Sequence, residues 1–259
     1  MELNHTGESI NGLFRNKVRV IQARRGYRVS EDAIILTWFA GPNPGGLILD
    51  AGTGCGVIAF GLAVRHPSIR VVALEIQEPL ADRARRGVQL NGLDDRILVV
   101  RGDVRKADRL FQNGFFDAVV SNPPYYEPGR GRINLEHEKA LSRHQLMMPL
   151  TDLFRVSGAL LKPSGNLSLI YPAGGRGKID EAMKAAGFKP SRVLWIHPQK
   201  GTEPGLICVE ARPQAFRPEL REEHLYLYSG PGKRSREAEA ILAGEEFPEI
   251  PEGTHGVPI

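Results

Sequence analysis

Four apolar runs of strand length, each ending on or just before an acid or an amide, set the frame within which this chain can fold. They are Leu47 to Asp50, Arg70 to Glu75, Arg96 to Arg101 with Gly102-Asp103 behind it, and Phe116 to Ser121 with Asn122 behind it. Apolar residues fill them without a polar face, as in strands covered on both sides. Helical segments intervene: Val57 to Ala63, and Glu78 to about Asn91, which carries Leu80, Ala84 and Val88 on one face and stops at Asn91-Gly92. Alternating strand and helix implies an α/β fold with a mainly parallel, doubly wound sheet, whose functional edge is the carboxyl ends of its strands. Asp50, Glu75, Asp103 and Asn122 would all lie along that edge.

The first strand feeds Ala51-Gly52-Thr53-Gly54-Cys55-Gly56 before a helix opens. Such a turn lets backbone approach a nucleotide-like ligand closely. A dinucleotide fingerprint needs G-x-G-x-x-G, whereas here Gly52, Gly54 and Gly56 alternate and Val57 stands where the last glycine would be. Asp50 at the strand end would repel a pyrophosphate but not a cationic ligand. Glu75, 25 positions after Asp50, suits a ribose diol.

At the fourth strand's end, Asn122-Pro123-Pro124-Tyr125-Tyr126 halts the sheet. The prolines stiffen the backbone and hold the carbonyls of Asn122 and Pro123 in fixed directions. An amide oxygen, a rigid carbonyl and an aromatic face together suit a planar group carrying NH2, such as the edge of adenine or cytosine. The same residues would also serve as a strand ending in a proline turn.

Hydrophobic residues at 41% and charged ones at 25% are ordinary for a globular chain, which excludes fibrous and disordered classes. A net charge of +4 is compatible with a polyanionic partner without requiring one. No basic-then-apolar leader opens the chain, and no window reaches the roughly 18 apolar residues of a membrane span. A soluble cytoplasmic protein is expected. Two cysteines, Cys55 and Cys208, argue against a disulfide framework, and no metal site is expected.

With these residues in hand, the chain resembles the class I S-adenosylmethionine-dependent methyltransferases over roughly Gly26 to Tyr228. The resemblance implies a Rossmann-like methyltransferase fold with a seven-stranded sheet and an antiparallel edge strand. It implies that the turn Asp50 to Gly56, through Asp50, Gly52, Gly54 and Gly56, cradles the amino-acid end of S-adenosylmethionine. Glu75 would then bind the ribose hydroxyls, Asp103 the adenine amine, and Val104 the adenine ring, with Asn122 at the meeting of cofactor and acceptor. Asn122-Pro123-Pro124-Tyr125 matches the N-P-P-Y signature of enzymes that methylate planar nitrogens, which implies catalytic roles for all four residues. Among these, the bacterial tRNA-valine adenine-N6 methyltransferases are most similar. The shared features are Gly26 to Ala33, Glu75-Ile76-Gln77, Ser121 to Tyr126, Pro204-Gly205 before a strand, and Leu225 to Ser229. A tRNA partner and a monomer or weak dimer follow as expectations. The alternatives are glutamine methylation of a peptide release factor and guanine-N2 methylation of ribosomal RNA; against the first, no extended helical domain precedes the turn.

The expected organisation is a basic segment over 1–29, a methyltransferase domain over 30–244 and a disordered tail over 245–259. Arg15, Lys17, Arg19, Arg24, Arg25 and Arg28 in the first piece could be solvated cations or a phosphate contact on a hairpin. Pro128 to Arg132, followed by His137 and His144, could be a lid that meets phosphate or an ordinary surface loop. Further on, a helix through Leu150 to Leu161, a strand Asn166 to Tyr171 and a helix Ile179 to Ala186 are expected. Val193 to His197 and Gly205 to Glu210 read as an antiparallel pair at one sheet edge, with Leu225 to Tyr228 and a helix around Arg236 to Leu242 closing the fold.

Overall fold

A computed structural model describes residues 5–25, 29–124, 148–216 and 219–245. Tyr125, Tyr126, the expected lid with His137 and His144, Arg28 and the tail beyond residue 245 lie outside the described residues.

Chain order begins with a hairpin, β1 (Glu8–Leu13) and β2 (Val18–Ala23), followed by α1 (Glu31–Phe39). Next come β3 (Leu47–Ala51), α2 (Val57–Arg65), β4 (Arg70–Glu75), α3 (Glu78–Asn91) and β5 (Ile97–Arg101). A 3-10 turn at Val104–Arg109 leads to β6 (Phe116–Ser121). The second half holds α4 (Leu150–Leu160), β7 (Leu161–Pro172), α5 (Arg176–Ala185), β8 (Phe188–Gln199), β9 (Leu206–Pro213), β10 (Arg221–Gly230), β11 (Lys233–Arg234) and α6 (Arg236–Ala243). Among the described residues, no helix is long and apolar enough to cross a membrane.

The large sheet runs β11-β10-β8-β9-β7-β6-β3-β4-β5. β4, β5, β6 and β7 pair parallel around β3, as the strand–helix alternation requires. β9 is antiparallel to both β7 and β8. The expected seven strands are therefore present, with two more beyond them. β10 pairs parallel with β8 over Arg221 to Tyr228, and β11 folds back on β10, so the β8–β9 pair is interior rather than at the edge. A physical reason lies in the row of unpaired backbone groups β8 would otherwise expose, which β10 covers.

Residue alternation explains the two cores. Ile48, Val71, Ala73 and Val120 face a cluster with α1 and α2, while Leu49, Val72, Leu74 and Val119 face one with α4 and α5. Phe39 and Phe60 in the first cluster and Phe154 in the second are fully buried. Each such side chain contributes roughly 1.5–3 kcal/mol by leaving water. Local signals fix the helix ends: α3 stops at Gly92 in the left-handed conformation, and Ser235 Oγ caps α6 by accepting from Ala238 N at 3.0 Å. Ser30 precedes α1 in extended geometry, yet its side chain makes no capping bond.

The N-terminal hairpin shares the first core through Phe14, Val18 and Val20 and packs along α3. Most of its cations are spent on this packing. The Arg19 guanidinium donates to Leu90 O at 2.7 Å, Arg24 donates to Glu8 O at 2.9 Å, and Arg15 pairs with Glu245 at 2.6 Å. Glu8 itself is buried against Arg86, whose two terminal nitrogens lie 2.7 and 2.9 Å from its carboxylate oxygens. That pairing holds the Glu8 carboxyl down at about 2.

Candidate functional site

Register brings the strand tips together. Asp50 pairs with Val120 of β6 and Ala73 of β4, so Gly52, Asn122 and Glu75 stand level with one another. Backbone and side-chain bonds lock that level: Gly52 N and Thr53 N donate to Leu74 O at 2.9 and 3.0 Å, and Ser121 Oγ donates to Ala51 O at 2.8 Å. Gly102 N, just past β5, donates to Glu75 O at 2.9 Å and brings Asp103 alongside.

Above these tips opens a cavity of about 890 Å³, whose walls include Gly52, Gly54, Glu75, Asp103, Val104, Asn122, Pro123 and Pro124. Eight of the expected site residues thus meet in one space, of a size that takes a nucleoside-like ligand. Three do not line it. Tyr125 lies outside the described residues; Asp50 and Gly56 stand behind the wall.

Asp50 was expected to face a cationic ligand, but it is completely buried. Its Oδ2 accepts from Thr53 Oγ1 at 2.5 Å and from Ala59 N at 3.1 Å, so the carboxyl fastens the glycine turn to the first turn of α2. Its Oδ1 has no hydrogen-bond partner. Burial pushes the carboxyl up to about 7, with the neighbouring Glu75 charge adding to the rise and the bonds from Thr53 and Ala59 opposing it. The consequence for stability has a definite sign. Between the ordinary aspartate value of 3.8 and about 7, the folded state keeps a proton that the unfolded state has lost. Stability conferred by Asp50 is therefore complete below about pH 4 and is lost as pH rises through 7. Glu75, also raised by burial, adds a slope of the same sign, so the difference between proteins isolates Asp50. Urea unfolding of the ligand-free protein at a series of pH values should show a decline across that window that is shallower in Asp50→Asn; parallel curves would refute it.

Gly52 and Gly54 have φ of +80° and +60°, and a Cβ at either would meet nothing within 4 Å. They leave the cavity wall as bare backbone. Gly56 is different, because a Cβ there would lie 2.3 Å from the Phe60 ring. Glu75 closes the turn from the other side. Its Oε2 accepts from Gly54 N at 2.9 Å and its Oε1 from Gln77 N at 2.8 Å, which orients a carboxylate on the cavity wall with lone pairs to spare.

Asp103 carries a partner that local reading did not foresee. Arg105 forks onto it, Nε at 2.9 Å from Oδ1 and Nη2 at 2.7 Å from Oδ2, and this guanidinium holds the carboxyl below its ordinary range. An amine binding there must share the carboxylate with Arg105 or displace it. Asn122, by contrast, is half-buried at the cavity wall, and its amide makes no hydrogen bond to any described residue. Buried Pro123 and exposed Pro124 follow it. A free amide at a stiffened strand tip is a receptor with both its donor and acceptor sides available.

Residues not among the expected site residues also line the cavity, among them Arg25, Asp32, Ile76 and Arg83. A signal existed for Asp32, an acid in the first turn of α1 behind the N-cap position Ser30; none existed for Arg83, one cation among several on an amphipathic helix. A second, smaller cavity of about 490 Å³, bounded by Phe14, Lys17, Arg65 and Gly244, includes none of the strand-tip residues.

Comparison with known proteins gives the site a context. Residues 33–173 match the family model described as methyltransferase small domain. A tRNA1(Val) (adenine(37)-N6)-methyltransferase of Porphyromonas gingivalis is 34% identical over 72% of this chain and 74% of its own length. One from Pedobacter heparinus is 30% identical over 79% of this chain and 85% of its own. Among solved structures, a protein of Agrobacterium tumefaciens described as a predicted O-methyltransferase superposes with a TM-score of 0.67, covering 82% of this chain and 96% of that one. At 23% identity, that likeness speaks to fold alone.

Proposed function

The chain belongs to the methyltransferase small domain family and takes S-adenosylmethionine as methyl donor, and from that premise we propose that its acceptor is the N6 amine of an adenine in tRNA. The residues of the cavity fit such a donor. Glu75 offers carboxylate lone pairs to a diol, Asp103 an acceptor to an amine, and Gly52 and Gly54 a bare wall. When bound, the sulfonium would supply a methyl carbon to a nitrogen lone pair, its carbon–sulfur bond breaking to leave a neutral thioether, and the methylated nitrogen would release one of its two protons to solvent.

The observation that carries the acceptor assignment is the unpartnered amide of Asn122 opening into the same cavity. Its Oδ1 and the Pro123 carbonyl would accept the two hydrogens of an exocyclic amine. Those bonds turn the nitrogen lone pair away from the ring and toward the methyl carbon, which activates a weak nucleophile without a strong base. The target base must leave its stack to reach them. Tyr125, two positions beyond Pro123, is proposed as the ring on which that base stacks. The relatives' printed activity on adenine 37 of a valine tRNA supports the same acceptor here.

The test is product analysis. The protein is incubated with methyl-labelled S-adenosylmethionine and an unmodified valine tRNA transcript, a transcript with guanine at position 37, a release factor or ribosomal RNA, followed by digestion and mass spectrometry. N6-methyladenosine from the first transcript and none from the second is expected. Label in a protein glutamine or in guanosine would assign the acceptor to another class.

A further inference from the structure

We infer that Arg83 binds the carboxylate at the amino-acid end of the cofactor, and that the N-terminal hairpin holds Arg83 in place for this through Glu8. The inference rests on the cofactor reading above and asks which residue recognises the cofactor's only carboxylate. Three acids, Asp32, Glu75 and Asp103, line the cavity and would repel that group. Three guanidinium groups line it as well, those of Arg25, Arg83 and Arg105. Arg105 is already committed to Asp103 by a fork of hydrogen bonds. Arg25 is exposed and has no anchor among the described residues.

Arg83 is the one both anchored and open. Its Nε donates to Glu8 Oε1 at 2.8 Å, and its side chain is only 19% exposed. Its two terminal nitrogens make no hydrogen bond to any described residue. Glu8 cannot move to follow it, because Arg86 and the backbone N of His5 occupy the rest of its carboxylate. A guanidinium fixed at Nε presents its remaining N–H groups as a planar pair, the geometry that matches a carboxylate. Its position agrees: Arg83 lines the same cavity as Gly54 and Cys55 of the glycine turn. Val57 and Ile58, whose N–H groups open the nine-residue α2, also line the cavity and favour negative charge at that helix end. The basic N-terminal piece thus gains a role other than phosphate contact.

The experiment compares two ligands that differ in one group, S-adenosylmethionine and its decarboxylated form, by calorimetric titration of the full chain. Arg83→Gln should weaken the first by about 10- to 100-fold, the range for a buried charge-assisted pair, and leave the second within about twofold. Glu8→Gln, which touches no ligand, should show a smaller loss confined to the carboxylate-bearing ligand. Thermal unfolding of each variant separates a binding defect from a folding defect, and Arg83→Lys, keeping charge without the fork, should recover part of the affinity. Equal loss for both ligands, or no loss for either, overturns the assignment of Arg83 while leaving the cofactor intact. Failure of the unaltered protein to bind either ligand overturns the cofactor reading itself.

Discussion

Asn122→Ala lowers the single-turnover rate of methyl transfer by roughly 10²- to 10³-fold, the scale seen when one preorganised polar group is removed from a reacting centre. Cofactor affinity should change by less than about threefold. The split follows from geometry. Asn122 enters the cavity from β6, while Glu75 and the glycine turn, which close the proposed cofactor site, are bonded to each other and to β4 without its help. Removing the amide leaves those bonds untouched, because it makes none to the described residues. Stability should hardly fall for the same reason: a half-buried side chain without partners leaves no orphaned group behind. Rapid-quench turnover and equilibrium titration on one preparation would check the pair of values, and a proportional loss of both would return Asn122 to the status of a turn residue.

Most of this arrangement was legible because it is local. Periodicity, the Asn91-Gly92 stop and the polar residue after each apolar run gave α3 its observed limits and put Glu75, Asp103 and Asn122 on one edge. What escaped was pairing between distant residues. Arg83 meets Glu8 from 75 positions away, and no spacing rule links a hairpin acid to a helix cation. β10 was read as a four-residue piece, since Arg221 to His224 is polar; its parallel pairing with β8 extends it and buries Glu223 against Arg192. Asp103 and Arg105 are two positions apart, yet their fork depends on the 3-10 turn that follows β5. The six cations of the first segment illustrate the cost of counting charge alone, because Arg15, Arg19 and Arg24 are engaged in bonds that fasten the hairpin or its turn.

The glycine turn divides in the same way, and its division can be measured. Gly56→Ala should destabilise the fold by about 3 kcal/mol, combining roughly 1–2 for a side chain at positive φ with 1–3 for overlap in a filled core. The φ of Gly56 is +93°, and its new methyl would stand 2.3 to 2.8 Å from three atoms of the Phe60 ring. That ring has no room to withdraw: Phe60 is fully buried and also lies 2.7 Å from where a Cβ on Gly87 would be. A loss of that size lowers the melting temperature of a domain this long by roughly 6–12 °C. Gly54→Ala makes the contrast. Its φ of +60° costs about 1 kcal/mol, but the methyl meets no protein atom, and Gly54 lines the cavity that a ligand would fill. Here the larger effect should be on cofactor titration, about 10-fold weaker, with a melting shift of only a few degrees. Calorimetric scans and titrations of the two variants side by side decide the matter: if Gly54→Ala melts as early as Gly56→Ala while binding normally, Gly54 belongs to the core and the bare wall of the cavity lies elsewhere.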